Sequence, residues 1–345
     1  MTMNKSGSSG GTLGNSSSPC GHNMTSWEER MDQLYTYFYI LIFVPGLLLN
    51  TIALWVLCRH ISKKTKAVIF MINLALADLA HVLSLPLRIY YYFTHTWPFG
   101  NIVCLFCFYL KYLNMYASIV FLVCISLQRC VFLLNPFFAR RWRRRYDLLI
   151  SVVVWLVVGL GCSPFILGPI AFTKLYASPF TTPSPPKSGC FKDLPTRQLP
   201  LFLAITIMTL GELFGFVLPL VGISYSSIRI ARSLNQRQST EPQKKRRALR
   251  MVLSCFALFL LCFAPYHLNF LLYLMVSQDI VSHCATRLAV RQFHPVSLCL
   301  ASMSCCLNPL LYYFLTAEFR SHLTRRTSSF TSSLMSMESF SSYRE

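Results

Sequence analysis

Three ionisable residues stand alone inside long apolar stretches of this sequence: Asp78, Lys111 and Glu212. Two more cations, Arg88 and Arg129, lie at the ends of such stretches. A charge inside a membrane is costly unless it has a partner or faces a wet cavity, and such residues commonly bind ligands or operate switches. A catalytic site would need a nucleophile, a base and an acid gathered at one depth. The scattered charges therefore indicate binding and switching, and we expect no enzyme.

Seven apolar stretches position these residues, and each is long enough to cross a membrane as a helix. A helix rises about 1.5 Å per residue and needs roughly 20 apolar residues to cross the hydrocarbon core. Barrel strands would alternate apolar and polar residues, which these stretches do not. They are 35–57, 67–87, 101–128, 148–173, 198–228, 251–278 and 292–317. The sequence predicts an all-α membrane protein, a seven-transmembrane helix bundle.

Three parts are expected along the chain. Residues 1–34 form a tail with glycosylation acceptor patterns at Asn4, Asn15 and Asn23. Residues 35–315 form the seven-transmembrane domain. Residues 316–345 form a short cytoplasmic amphipathic helix followed by a tail rich in Ser and Thr.

The distribution of charge along this chain indicates its orientation in the membrane. Apolar residues make up 54% of it and charged residues 13%, which excludes a disordered or an ordinary soluble protein. The net charge is +20, but 21 of the 32 Lys and Arg residues fall in loops and a tail on one predicted side. Basic loops belong on the cytoplasmic side, where they attract membrane lipids. We therefore predict a multi-pass plasma-membrane protein with an extracellular N-terminus and no nucleic-acid partner.

Four of the fourteen cysteines fall in predicted outer segments: Cys20, Cys104, Cys190 and Cys284. An even number of cysteines in an oxidising compartment predicts two disulfides. Spacing alone leaves all three pairings open.

Several motifs, in order along the chain, resemble those of the class A (rhodopsin-like) G-protein-coupled receptors. They are Asn50 in span one, Asn73-Leu-Ala-Leu-Ala-Asp78, Arg129, Trp155, Pro219, Cys262-Phe-Ala-Pro265 and Asn308-Pro-Leu-Leu-Tyr312. In-span prolines at 45, 86, 164, 219, 265 and 309 are expected to break six helices. The run from Cys107 to Ser118 and the sequence Cys262-Phe-Ala-Pro-Tyr-His267 resemble the purinoceptor-like lysophosphatidylserine receptors.

The resemblance implies a lysophospholipid agonist, a Cys104–Cys190 disulfide and a Cys20–Cys284 disulfide. Counted along their helices, Arg88 and Lys111 lie near the outer cavity and could clamp a phosphate or carboxylate, unless they extend toward the lipid headgroups. Glu212 could receive an ammonium group, or pair internally with Lys111, or stay protonated. His267 lines the cavity or is a core histidine. The expected ligand-binding residues are Arg88, Tyr92, Lys111, Tyr112, Tyr116, Glu212, His267 and Arg291.

The same resemblance implies an activation switch built from Asp78, Gln128, Arg129, Phe263, Pro265, Asn308, Pro309 and Tyr312. Asp78, with Asn50, Ser304 and Asn308, would hold a sodium ion or form a plain polar network. No other cofactor is expected. The family's acidic residue before Arg129 is Gln128 here, which cannot form the usual ion pair, so we expect raised basal signalling.

These features predict a plasma-membrane receptor for an extracellular lysophospholipid, foremost lysophosphatidylserine. The resemblance favours a heterotrimeric G protein of the 12/13 class, and the Ser/Thr-rich tail predicts an arrestin and a receptor kinase as partners. One alternative is a purinoceptor for an extracellular nucleotide, whose phosphates would use the same cations. A membrane transporter is the alternative from another class, but it would need paired charges and internal repeats.

Overall fold

The computed structural model describes residues 25–61, 68–163, 190–191, 201–235, 242–277, 280–281 and 283–315. Within them, seven helices are long and apolar enough to cross a membrane, as predicted. They are α1 (Thr25–Val56), α2 (Val68–Thr94), α3 (Gly100–Leu134), α4 (Arg144–Cys162), α5 (Leu201–Glu212 and Leu218–Leu234), α6 (Pro242–Leu258 and Ala264–Ser277) and α7 (Cys284–Leu315). A short loop helix, Pro136–Arg141, joins α3 to α4.

Several helix ends differ from the predicted ends. The first helix begins at Thr25, ten residues before the predicted start, and α2 and α3 run on to Thr94 and Leu134. A hydropathy pattern marks only the apolar part of a helix, whereas the backbone hydrogen bonds continue into its polar turns. Helix α4 ends at Cys162, and the rest of its predicted stretch lies outside the described residues.

The prolines do not all break their helices. Helices α1, α2 and α7 continue through Pro45, Pro86 and Pro309, so the prediction of breaks was wrong there. In α5 and α6 the π-helical turns Leu213–Val217 and Phe259–Phe263 join the two halves just before a proline. A proline ring clashes with the carbonyl four residues earlier, which lies in the π-helical turn in both helices. Pro164 lies outside the described residues.

Helix α3 is the central element. It contacts α2, α4, α5, α6 and α7. Its middle is buried, with Ala117, Ile119 and Phe121 at 0% exposure. We call the bundle end with the Cys104–Cys190 disulfide the disulfide end, and the opposite end the Arg129 end. Because α3 is packed on several sides, it fixes the residues at both ends relative to each other.

Candidate functional site

A disulfide between Cys104 and Cys190 places a segment of the loop after α4 against α3, with 5.8 Å between the two Cα atoms. The next residue, Phe191, packs its ring among aromatic side chains of the disulfide end. Its ring centre lies 5.0 Å from that of Phe108 and 5.1 Å from that of Tyr91. Cys284 is also disulfide-bonded, and its predicted partner Cys20 lies outside the described residues.

Arg88 is buried beneath Phe191. Its Nη2 donates to the carbonyl oxygen of Cys107 at 2.6 Å, and its guanidinium carbon lies 4.6 Å from the centre of the Phe191 ring. Only 1% of the residue is exposed, which does not fit an arginine that extends toward the headgroups. It has no ion pair with a described residue, and its Nε has no hydrogen-bond partner there. Arg88 is therefore a buried cation held by a carbonyl and an aromatic face.

Lys111 lines a small cavity between α2, α3 and α7. Its other lining residues are His81, Tyr112, Asn114, Met115, Leu298, Ala301 and Ser302. Lys111 is 8% exposed, and Arg88 is near enough to repel its charge. In the described part of the bundle, both ring nitrogens of His81 and the hydroxyl of Ser302 lack hydrogen-bond partners. Buried polar groups normally have such partners, so these groups favour a polar occupant.

Glu212 lies beside His267 rather than beside Lys111. Its Oε1 lies 3.8 Å from Nδ1 of His267, which is fully buried. The glycine at position 215 makes room for this pair, because a Cβ there would collide with the His267 ring and would lie 2.9 Å from the ring of Tyr116. Glu212 keeps 17% of its side chain exposed, so an incoming group could reach it.

The predicted ligand-binding residues therefore form two groups. Arg88 and Tyr92 both contact Phe191, and Lys111 and Tyr112 line the neighbouring cavity. The second group is Tyr116, Glu212 and His267, and Tyr116 lies one helical turn from Tyr112 on α3. Arg291 is exposed on α7.

Sequence reasoning missed Phe191, His81 and Ser302. Phe191 follows a disulfide cysteine, and His81 lies one helical turn from Asp78, so these positions could have indicated that both residues lie near the site.

Asp78 lies in the middle of the bundle with no exposed surface. Its carboxylate accepts from Nδ2 of Asn114 at 2.9 Å and from Nδ2 of Asn308 at 3.0 Å. Asn50 and Ser304 were expected to join Asp78 but bond elsewhere. Asn50 donates to the backbone carbonyls of Gly46 and Cys305, and Ser304 donates to that of Ala301.

Several oxygen atoms beside Asp78 are suitable ligands for a sodium ion. Such hard cations take oxygen ligands. Besides the carboxylate, the buried Ser118 hydroxyl and Asn308 Oδ1 have no hydrogen-bond partner among the described residues. Ser118 lies close to Asp78, so these oxygens fit the ion that the resemblance implies.

At the Arg129 end, Gln128 donates to an acid that the motif did not predict. Its Nε2 lies 2.7 Å from Oδ1 of Asp147 on α4. The Tyr312 hydroxyl donates to the Met71 carbonyl at 3.1 Å, so it contacts α2. Phe263 is fully buried and its ring centre lies 6.4 Å from that of Phe259.

Residues 49–312 match the family described as 7 transmembrane receptor (rhodopsin family). The chain belongs to this receptor family. The receptor is 54% identical over 314 residues to the Mus musculus protein named as putative purinoceptor 10, covering 90% of this chain and 92% of the relative. It is 47% identical over 295 residues to "Probable G-protein coupled receptor 174" of Homo sapiens, covering 85% and 86%. It is 31% identical over 296 residues to "Lysophosphatidic acid receptor 6" of Gallus gallus, covering 85% and 93%.

These relatives confirm the expected family. The protein is a multi-pass membrane receptor of the purinoceptor-like and lysophospholipid-receptor-like branch, and members of its family couple to G proteins. Receptors of this family are not enzymes.

Proposed function

We propose that the receptor binds an extracellular lysophospholipid, foremost lysophosphatidylserine, and activates a heterotrimeric G protein of the 12/13 class. The observation that carries the proposal is the pair of buried cations Arg88 and Lys111, neither of which has an ion pair with an acid in the described part. Two buried cations without an acidic partner favour an anionic ligand, because one phosphate would neutralise both charges.

The geometry around Arg88 supports phosphate binding. A guanidinium has five N–H donors, and one of them is used by the Cys107 carbonyl. Charge-assisted bonds from an arginine and a lysine to one phosphate are strong in a site that excludes water. The cavity of about 10 Å³ beside Lys111 has room for a single water, through which His81 and Ser302 would bond the same headgroup.

Glu212 favours a zwitterionic serine headgroup over a nucleotide. Its side chain is partly exposed and its Oε1 lies 3.8 Å from His267, so its carboxylate would offer a counter-charge to a ligand ammonium. A nucleotide would use Arg88 and Lys111 but brings no ammonium to Glu212. The nucleotide alternative remains the second candidate, since one relative is named a purinoceptor.

A G-protein dissociation assay with three ligands tests the proposal. Lysophosphatidylserine, lysophosphatidic acid and a nucleoside diphosphate are applied to the parent, Arg88→Ala, Lys111→Ala and Glu212→Gln at equal surface expression. We expect each cation variant to weaken both lysolipids by about 1.5–3 kcal/mol, and Glu212→Gln to weaken only the serine lipid. Exposed Arg30→Ala is the matched control. A response to the nucleotide alone, or cation variants equal to the parent, would overturn the proposal.

The other parts of the proposed function rest on sequence patterns. We propose a plasma-membrane location with the N-terminus and the glycosylated Asn4, Asn15 and Asn23 outside, and a sodium ion beside Asp78. We also propose that the Ser/Thr-rich tail recruits a receptor kinase and arrestin. A glycosidase-induced mobility shift that disappears when the three asparagines are changed to Gln would support the orientation.

A further inference from the structure

The side chain of Asp147 joins α3, α4 and the loop between them. Besides Gln128 Nε2, its Oδ1 accepts from Nε1 of Trp142 at 2.8 Å. Asp147 has no exposed surface and Gln128 is 7% exposed. Asp147 is also in the first turn of α4, where the helix dipole favours a negative charge. Its carboxylate is thus stabilised by two N–H donors and a helix N-terminus.

The chemistry of this contact explains the neutral residue at position 128. An ionised carboxylate only accepts hydrogen bonds, so its partner must donate. The Gln128 amide can donate, whereas a glutamate at this position would bring two carboxylates within hydrogen-bond distance of each other, and a shorter aspartate would leave Asp147 without this donor. Restoring an acid at position 128, as in the family, would therefore place it against the carboxylate that α4 supplies.

Trp142 extends the contact into the loop. It directly follows the loop helix Pro136–Arg141, and its backbone N–H donates to the Phe138 carbonyl at 3.0 Å. Its ring centre lies 5.3 Å from that of Phe138, 5.8 Å from that of Phe132 and 5.3 Å from that of Tyr146. The indole is therefore packed against α3, the loop helix and the start of α4, with its one donor on Asp147.

We propose that Asp147 is a positioning residue, which holds the loop helix against the Arg129 end of α3 through Gln128 and Trp142. This positioning of the loop helix does not depend on which ligand the receptor binds. Its consequence for coupling rests on the proposed function: a displaced loop changes the surface that the receptor offers to the G protein.

Hydrogen–deuterium exchange of the purified full-length receptor tests the proposal. The variants are Asp147→Ala, Gln128→Glu, and the reciprocal pair Gln128→Glu with Asp147→Asn, in which the amide and the carboxylate change places at unchanged side-chain length. Tyr146→Phe is the matched control, because it keeps the ring that packs on Trp142. We expect either single change to raise amide exchange in residues 136–142 about tenfold, the effect of losing a bond to a charged group. The reciprocal pair and the control should stay within about threefold of the parent.

Melting temperature and agonist-free nucleotide exchange on an added G protein are measured in parallel. Loop exchange unchanged in Asp147→Ala, or a reciprocal pair no better protected than Gln128→Glu alone, would overturn the proposal. If the single variants do not fold, Trp142→Phe removes one donor and keeps an aromatic ring, and unchanged loop exchange there also refutes it. Where loop exchange responds but no variant, parent included, activates the G protein, the coupling proposal fails and the positioning role stands.

Discussion

Substituting alanine for Gly215 should separate the role of close packing from that of helix propensity in α5. A Cβ at this position meets the fully buried His267 ring and lies 2.9 Å from Tyr116, so at least one ring must move. Adding a methyl group to filled space costs about 1–3 kcal/mol. Gly211 on the same helix is a matched control, because a Cβ there lies 3.9 Å from Phe270, an ordinary contact.

Gly215 lies in the π-helical turn and Gly211 in the α-helical half before it, and both lose the flexibility of glycine, so the difference between the variants measures mainly the steric cost. We expect Gly215→Ala to be less stable than Gly211→Ala by about 1–3 kcal/mol, measured as a melting temperature lower by several degrees. Because His267 is displaced from Glu212, the response to an amine-bearing lysolipid should fall more than the response to lysophosphatidic acid. Equal melting temperatures for the two variants would refute the packing argument, and equal losses for both lipids would refute the link to Glu212.

Three further outcomes are expected. Asn114→Ala should lower stability by about 1.5–3 kcal/mol, because it removes a donor from the buried Asp78 carboxylate; a melting temperature equal to the parent's would contradict this. Asp78→Asn should abolish any effect of sodium chloride, compared with choline chloride, on agonist binding, and a persisting sodium effect would place the ion elsewhere. Phe191→Leu should weaken lysolipid potency by about 0.5–2 kcal/mol, because it removes the aromatic face over Arg88. The exposed Phe93→Leu change should leave potency unaltered, and equal behaviour of the two leucine variants would count against that contact.

The seven helices could be predicted from the sequence because the pattern that indicates a membrane span is local. About 20 successive apolar residues give it without reference to the rest of the chain. The contact between Asp78 and Asn308 was also predictable, since both lie in recognisable motifs. In contrast, the role of Asn114 depends on how α3 is rotated against α2, which packing decides.

Two other contacts escaped prediction for physical reasons. Glu212 was placed by counting back from Pro219, but the π-helical turn between them changes the phase of the helix. Gln128 and Asp147 are 19 residues apart and are joined by a loop whose path no periodicity describes. Partner assignment across helices therefore needed the three-dimensional arrangement.

The position of Phe191 over Arg88 has a consequence for the rate of binding. The ring centre lies 4.6 Å from the guanidinium carbon, and the neighbouring Cys190 is fixed to α3 by the disulfide. A phosphate approaching from this side can reach Arg88 only when the ring swings aside, so association is limited to the fraction of time the ring is open. Once the ring returns, the same motion slows escape. A ligand of modest affinity would then stay bound long after its free concentration has fallen.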